Sequence, residues 1–204
     1  MSKSSMMSRK DRELRTRFLA EGAIMLAVAT VLSWIKIDLP LGGGITLVSM
    51  LPIIIISHRW GWKKGLLVAF LHSAVQLLFG LDNVGYATSF GMALGVIFLD
   101  YIVPYTALGF SALAEKHFGK TDRAVFIGIL VTLLFRFACH YITGVWIWAV
   151  WAEPTYLGIA TPTPWVYSAL YNGWYMLFEI IITECVAMIL YQALGKYFRR
   201  EDLR

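Results

Sequence analysis

Charge is what this chain of 204 residues has least of. Only 15% of it is Asp, Glu, Lys or Arg, and 58% is hydrophobic. Soluble domains carry about 25% charged residues. Mean hydropathy is +0.65. These values exclude an ordinary soluble domain and place the chain among integral membrane proteins. Cysteine is scarce as well. Cys139 and Cys185 both lie in apolar runs, so they read as packing residues rather than a disulfide. The chain has no HExxH spacing for a metal, no GxSxG turn for a serine nucleophile and no GxxxxGK[ST] phosphate loop. No resident metal or cofactor is expected, and any ATP dependence must come from a partner. No small-residue cleavage pattern follows the first apolar run, which is expected to be a retained helix rather than a signal peptide. There is no internal repeat and no low-complexity segment.

The net charge of +5 does not point to nucleic acid, because the basic residues cluster between apolar runs. Six such runs are predicted to be helices: 18–35, 46–57, 65–79, 89–113, 124–150 and 167–197. Sixteen of the 18 Lys and Arg residues fall in the N-terminal tail, the 57–64 and 114–123 loops and the C-terminal end; Lys36 and Arg136 are the exceptions. That alternation obeys the positive-inside rule. The expected fold is therefore all-α and integral to the membrane: a six-helix transmembrane bundle with both termini cytoplasmic. Its parts would be a cytoplasmic basic tail over 1–17, the membrane domain over 18–197 and a cytoplasmic C-tail over 198–204. The second and third runs fall short of the roughly 20 residues of a full span. They either borrow residues from their flanks or are shielded by other helices. Residues 80–88 and 152–164 read as loops, the latter on three prolines.

The stretch FRFACHYITGVWIWAVW, 135–151, concentrates the unusual chemistry. Arg136, His140, Gly144 and Trp148 recur every fourth residue and would share one helix face. A polar, aromatic face in lipid is costly unless it lines something. Asp100 lies about 15 Å from the outer end of its helix, and His140 at a similar depth. Tyr167, Tyr171 and Asn172 open the last helix on the same side. These groups would form one wall of a pocket for a small, flat, cationic heteroaromatic molecule, with indoles attracting the cation and Asp100 balancing it. Plainer roles stand beside this reading. Asp100 can pair with Arg136, His140 can be a satisfied packing residue, and Trp146, Trp148 and Trp151 can form an interfacial belt. Glu179 and Glu184 read as structural partners of other helices, and Glu21 as facing the headgroups. His72 and Tyr86 complete the pocket candidates. Ala23 and Ala27 on the first helix, and Gly91 and Gly95 on the fourth, are small residues four apart that allow close helix approach. The glycines read as packing within the chain. The alanines suit either internal packing or docking to another membrane protein.

Taken together, GITLVSMLPIIIISHRWG, FLDYIVPYTALG, HYITGVWIW and VYSALYNGWYM resemble the ThiT, or YuaJ-like, family. These are the thiamine-specific substrate-binding (S) components of energy-coupling factor (ECF) transporters. The resemblance runs from about residue 19 to 191. It implies a six-helix bundle that binds thiamine tightly from outside. Delivery would follow association with a transmembrane coupling subunit (EcfT-like) and two cytoplasmic ATPase subunits. It implies a pocket carboxylate at Asp100 followed by Tyr101, a histidine at His140, a glycine at Gly144 and a stacking tryptophan at Trp148. It further implies pocket roles for Tyr167 and Asn172, and docking of the coupling subunit on Ala23 and Ala27. The chain departs from some members that carry Glu in place of Asp100, a tryptophan within the first loop where this chain has Gly42–Gly44, and another in place of His72.

The reading is a thiamine-binding membrane subunit with no catalysis of its own, in which the Gly42–Gly44 loop acts as a lid. Its rivals are a subunit for another vitamin or precursor, an intramembrane enzyme using Asp100 and His140 as an acid–base pair, and a stand-alone ion-coupled transporter.

Overall fold

The computed structural model describes residues 8–38 and 44–203. Helix α1, Arg9–Trp34, starts where the Ser8 hydroxyl accepts the amide of Asp11. It begins nine residues before the apolar run, so residues 9–17 are an exposed helical extension rather than a structureless lead-in. A short antiparallel hairpin follows, β1 Lys36–Asp38 and β2 Gly44–Thr46. The predicted lid residues Gly42 and Gly43 lie outside the described residues; Gly44 opens β2.

Helix α2, Leu51–Trp60, begins with Pro52 in its first turn, where a missing amide proton is harmless. It ends at Gly61, whose φ of 87° suits only glycine. Helix α3, Trp62–Phe79, starts at once. The basic stretch predicted as a turn is therefore almost entirely helical, bent at that one glycine. A short helix, α4, Leu81–Gly85, occupies the predicted 80–88 loop. Helical segment α5 covers Phe90–Phe118 but changes pitch. It holds a π-helical stretch over Val96–Ile102 and a 3₁₀ stretch over Ala107–Ala114. Helix α6, Asp122–Trp146, is capped by Thr121 and ends four residues before the predicted boundary. A 3₁₀ turn, Trp148–Trp151, and a second hairpin, β3 Thr155–Tyr156 with β4 Ile159–Ala160, follow it. Helix α7, Pro164–Phe198, is capped by Thr163 and bends at Leu194. The all-α expectation is thus corrected by two small hairpins, both in connections where proline or glycine breaks helical pattern.

Arg9–Trp34, Phe90–Phe118, Asp122–Trp146 and Pro164–Leu203 are each long and apolar enough to cross a membrane. Helix α2 is not, and its position explains why. Every residue from Leu51 to Trp60 is buried, against α1, α3, α5 and α7. It is a core helix shielded from lipid by its neighbours, so it needs no spanning length. Cys139 is buried and Cys185 exposed, and both are free.

The basic end of the bundle is held by ions rather than by headgroups. Arg59, wholly buried, donates to both carboxylate oxygens of Glu21 at 2.5 and 2.9 Å. It also reaches both oxygens of Asp202 at 2.8 and 2.9 Å and the carbonyl of Tyr197 at 2.6 Å. Glu21 additionally accepts from Arg17, from the Trp60 indole and from the Tyr197 hydroxyl. The headgroup-facing role expected of Glu21 is therefore overturned, because a buried guanidinium needs its charge. The C-terminal tail is tied into the same knot through Asp202.

Removing one partner of a buried ion cluster leaves the others uncompensated. Arg59→Ala is expected to destabilise the detergent-solubilised protein by about 3 kcal/mol or more. Arg9→Ala, which breaks an exposed pair with Glu13, should change stability by less than about 0.5 kcal/mol. Thermal unfolding followed by size-exclusion chromatography compares the two. Equal, small shifts would contradict a structural role for the Arg59 cluster.

Candidate functional site

The π-helical stretch of α5 turns Asp100 and Tyr101 into the bundle, a frequent use of such irregular pitch. Opposite them, α6 presents His140, Thr143 and Gly144, and α7 presents Tyr167, Ser168, Tyr171, Asn172 and Tyr175. The 3₁₀ turn after α6 adds Trp148 and Trp151. Together with Tyr105 and Asn83 they enclose a cavity of about 420 Å³, a size suited to a small organic ligand. It lies in the half of the bundle away from the Arg59 cluster.

Asp100 is the electrostatic centre. Its Oδ1 accepts from the Thr143 hydroxyl at 2.5 Å and faces His140 Nδ1 at 3.0 Å. Its Oδ2 accepts from the Trp148 indole at 2.9 Å. Arg136 Nε donates to His140 Nε2 at 3.2 Å. A guanidinium can only donate, so Nε2 must accept and the ring proton sits on Nδ1, where it is given to Asp100. The imidazole is therefore a neutral bridge between a cation and an anion. The plain reading, an Asp100–Arg136 pair, survives only in this indirect form. Arg136 also donates to the Tyr105 hydroxyl at 3.0 Å and to the Met50 sulfur at 2.8 Å, with its guanidinium 4.6 Å from the Tyr105 ring centre. Trp148 is past the end of α6 and not on its helical face, yet the 3₁₀ turn brings its indole back to Asp100.

Asn172 fastens α7 to α6. Its Nδ2 lies 3.2 Å from the His140 carbonyl and 3.1 and 3.0 Å from the carbonyl and hydroxyl of Ser168. Its Oδ1 accepts from Tyr175 at 2.9 Å. Ser168 in turn donates to the Tyr141 carbonyl at 2.8 Å. Gly144 permits this closeness: a Cβ there would collide with the Ser168 and Asn172 side chains. Tyr167 and Tyr171 stack at 5.9 Å, and buried Tyr156 of β3 packs edge-on against both at 5.7 Å. Burial, with Tyr171 and Tyr167 nearby, pushes the Tyr156 phenol above its ordinary pKa, so it stays neutral. Tyr101 accepts from Asn83 Nδ2 at 2.6 Å, which pins α4 to the cavity.

Of the candidate residues, the cavity brings together Asp100, Tyr101, His140, Gly144, Trp148, Tyr167 and Asn172. It does not gather His72 or Tyr86. His72 is wholly buried behind Tyr105, whose ring it meets edge-on at 5.5 Å. Tyr86 is exposed and its ring meets Trp151 edge-on at 6.0 Å. Thr143, Tyr105, Ser168 and Tyr175 were not anticipated. The fourfold spacing of Tyr167, Tyr171 and Tyr175, and of Tyr101 and Tyr105, was the readable signal.

Of the smaller candidates, Glu179 accepts from the amide and hydroxyl of Thr46 at 2.8 and 3.0 Å, binding β2 to α7. Gly95 packs against Ile147, but Gly91 faces open space, against the expectation of internal packing. Ala23 and Ala27 are both exposed on α1. Among the described residues no three His, Cys, Asp or Glu side chains converge as a metal site would require.

Comparison with known proteins agrees with this architecture. The chain is 31% identical over 195 residues to the thiamine transporter ThiT of Bacillus subtilis, an alignment covering 90% of this chain and 94% of that protein. It is 25% identical over 197 residues to ThiT of Lacticaseibacillus paracasei, covering 90% and 91%. The fold matches that of ThiT from Listeria monocytogenes with a TM-score of 0.68 at 24% identity, covering 90% of this chain and 98% of that one. It also matches the solved S component of a bacterial ECF transporter, with a TM-score of 0.61 at 16% identity, covering 91% and 99%. A family model described as thiamine transporter protein (Thia_YuaJ) matches residues 19–199. The family is one of transporters rather than enzymes, which removes the acid–base reading of Asp100 and His140, and the chain belongs to it.

Proposed function

We propose that this chain is the thiamine-binding S component of an ECF-type uptake transporter in the cell membrane, capturing thiamine with high affinity from the extracellular side. The observation that carries this reading is Asp100, a carboxylate held by three donors inside an aromatic cavity. Thiamine combines a cationic thiazolium with a flat aminopyrimidine. An indole and phenol wall attracts the former, and a carboxylate accepts from the exocyclic amine of the latter. In this reading Asp100 takes the aminopyrimidine, Trp148 and His140 stack on the rings, and Tyr167 closes the outer side. Asn172 shapes the site mainly by fixing α7 against α6, since its amide is already engaged there.

The same reading places six helices across the bilayer and both termini in the cytoplasm, with the Arg59 cluster on the cytoplasmic side. Four segments of spanning length support it. The positive-inside distribution of Lys and Arg agrees. Delivery is by association with a transmembrane coupling subunit of the EcfT type and two cytoplasmic ATPase subunits. Ala23 and Ala27, exposed on α1, form the docking stripe.

Thiamine titrated into the detergent-purified protein is expected to quench tryptophan fluorescence at nanomolar concentration. Asp100→Asn and Trp148→Ala should each weaken binding at least tenfold, which corresponds to about 1.4 kcal/mol. No response up to the millimolar range by a folded protein, or unchanged affinity in both variants, overturns the assignment.

Docking is separable from binding. Ala23→Trp and Ala27→Trp should leave thiamine affinity of the isolated subunit unchanged and abolish co-purification with the coupling module. Retained co-purification would remove α1 from the docking surface.

A further inference from the structure

A second cavity, of about 410 Å³, opens on the outside of the bundle between α3, α5 and α6. Its walls are Phe70, Ile102, Val103, Phe110, Val131 and Phe135. Phe70, Phe110, Val131 and Phe135 are all exposed. The two hydroxyls within it are already satisfied: Thr106 donates to Ser73, and Thr132 donates to the carbonyls of Gly128 and Ile129. The groove therefore asks nothing of a ligand but hydrocarbon. From Phe110 to Ile102 it follows α5 for eight residues, about 12 Å at helical rise. That is close to the roughly 15 Å depth of one hydrocarbon leaflet.

One end of the groove is charged. Phe110 stacks on Trp62 at 6.1 Å with 26° between the planes. The ammonium groups of Lys63 and Lys116 lie 5.6 and 5.5 Å from the centre of that same indole. Two cations drawn to one ring repel each other unless an anion joins them. Neighbouring Glu115 does not fill that role, because its carboxylate reaches inward to the buried His58 at 2.8 Å. Tryptophan at this level is the usual marker of the membrane interface.

We propose that this face is a binding site for one anionic phospholipid. An acyl chain fills the groove against Phe70, Val131 and Phe135. The glycerol region rests on Trp62 and Phe110, and the headgroup phosphate sits between Lys63 and Lys116. A lysine pair binds phosphate as point charges, without the bidentate fork that arginine would add. The site is therefore selective for negative charge rather than for one headgroup. It opens on the outside of the bundle and shares no lining residue with the Asp100 cavity, so lipid and small ligand do not compete.

The test uses the full chain, delipidated in detergent and re-equilibrated with phosphatidylglycerol or phosphatidylcholine, with bound lipid counted by native mass spectrometry. One phosphatidylglycerol should be retained in several-fold preference to phosphatidylcholine. K63A/K116A should abolish the preference. Val131→Trp, which fills the groove, should lower retention of both lipids several-fold. Brominated phosphatidylglycerol should quench part of the tryptophan emission, and Trp62→Phe should remove that part. Unchanged ligand quenching in the Asp100 cavity controls for folding. Equal retention of the two lipids, or retention unaffected by both variants, overturns the site. So does protection of Lys116 from acylation by the coupling module with no lipid retained, which would assign the face to a protein partner.

Discussion

A carboxylate and a guanidinium have been placed deep in an apolar bundle, and neither can stay there alone. The structure answers with one neutral imidazole. Arg136 donates into His140, and His140 faces Asp100. Three side chains on two helices thereby form a single neutralised unit. Much else depends on it. Asp100 must reach inward, which requires the π-helical turn of α5. Trp148 must fold back after α6 to donate its indole, which requires the 3₁₀ turn. Asn172 must hold the His140 carbonyl, which requires the glycine at 144.

Helix α2 joins this unit to the second buried charge cluster. Met50, its N-cap residue, accepts from Arg136, and Arg59, near its other end, binds Glu21 and Asp202. A ten-residue helix buried on every side thus touches a guanidinium at each end. One guanidinium supports the cavity from behind through His140 and Tyr105, and the other knots α1 to the C-terminal turn. Because α1 also carries the exposed Ala23 and Ala27, a buried core helix connects the surroundings of the cavity to that exposed face of α1. This is spatial continuity through packed elements, with no second arrangement on display.

Much of this was legible in the sequence. Low charge and the clustering of Lys and Arg gave the membrane class, and the spacing of His140 and Gly144 marked a face that lines the cavity, while Arg136 on that spacing is bonded to His140 and Tyr105 outside the lining. What stayed hidden has physical causes. A π-helical turn has no compositional signature distinct from an α-helix, so the inward aim of Asp100 and Tyr101 together could not be read from spacing. A short apolar run reads alike whether it borrows flanks to span lipid or hides inside a bundle, which is why α2 remained ambiguous. His72 stays outside the cavity because Tyr105, which lines it, takes the imidazole edge-on, and no pattern along α3 reports a contact with another helix. Glu21 was misread because Arg59, the buried guanidinium it neutralises, lies 38 residues away in the chain, beyond any local pattern.

The two hairpins are secured in different ways, and the difference orders their stability. A two-stranded hairpin is marginal by itself in water, so each depends on what anchors it. Hairpin β1–β2 is fixed by Glu179, a buried carboxylate that accepts two hydrogen bonds from Thr46 in the middle of α7. Losing that anchor would strand a charge acceptor inside the protein, so the hairpin is held strongly. Hairpin β3–β4 pairs only two residues on each strand. It rests on the ring of Tyr156 against Tyr167 and Tyr171 and on bonds from Thr161 to the backbone of Glu153 and Pro154. Lifting it exposes one phenol and separates aromatic edges, leaving no charge uncompensated. Of the two hairpins, the one packed on Tyr167, a lining residue of the cavity, is therefore the cheaper to lift.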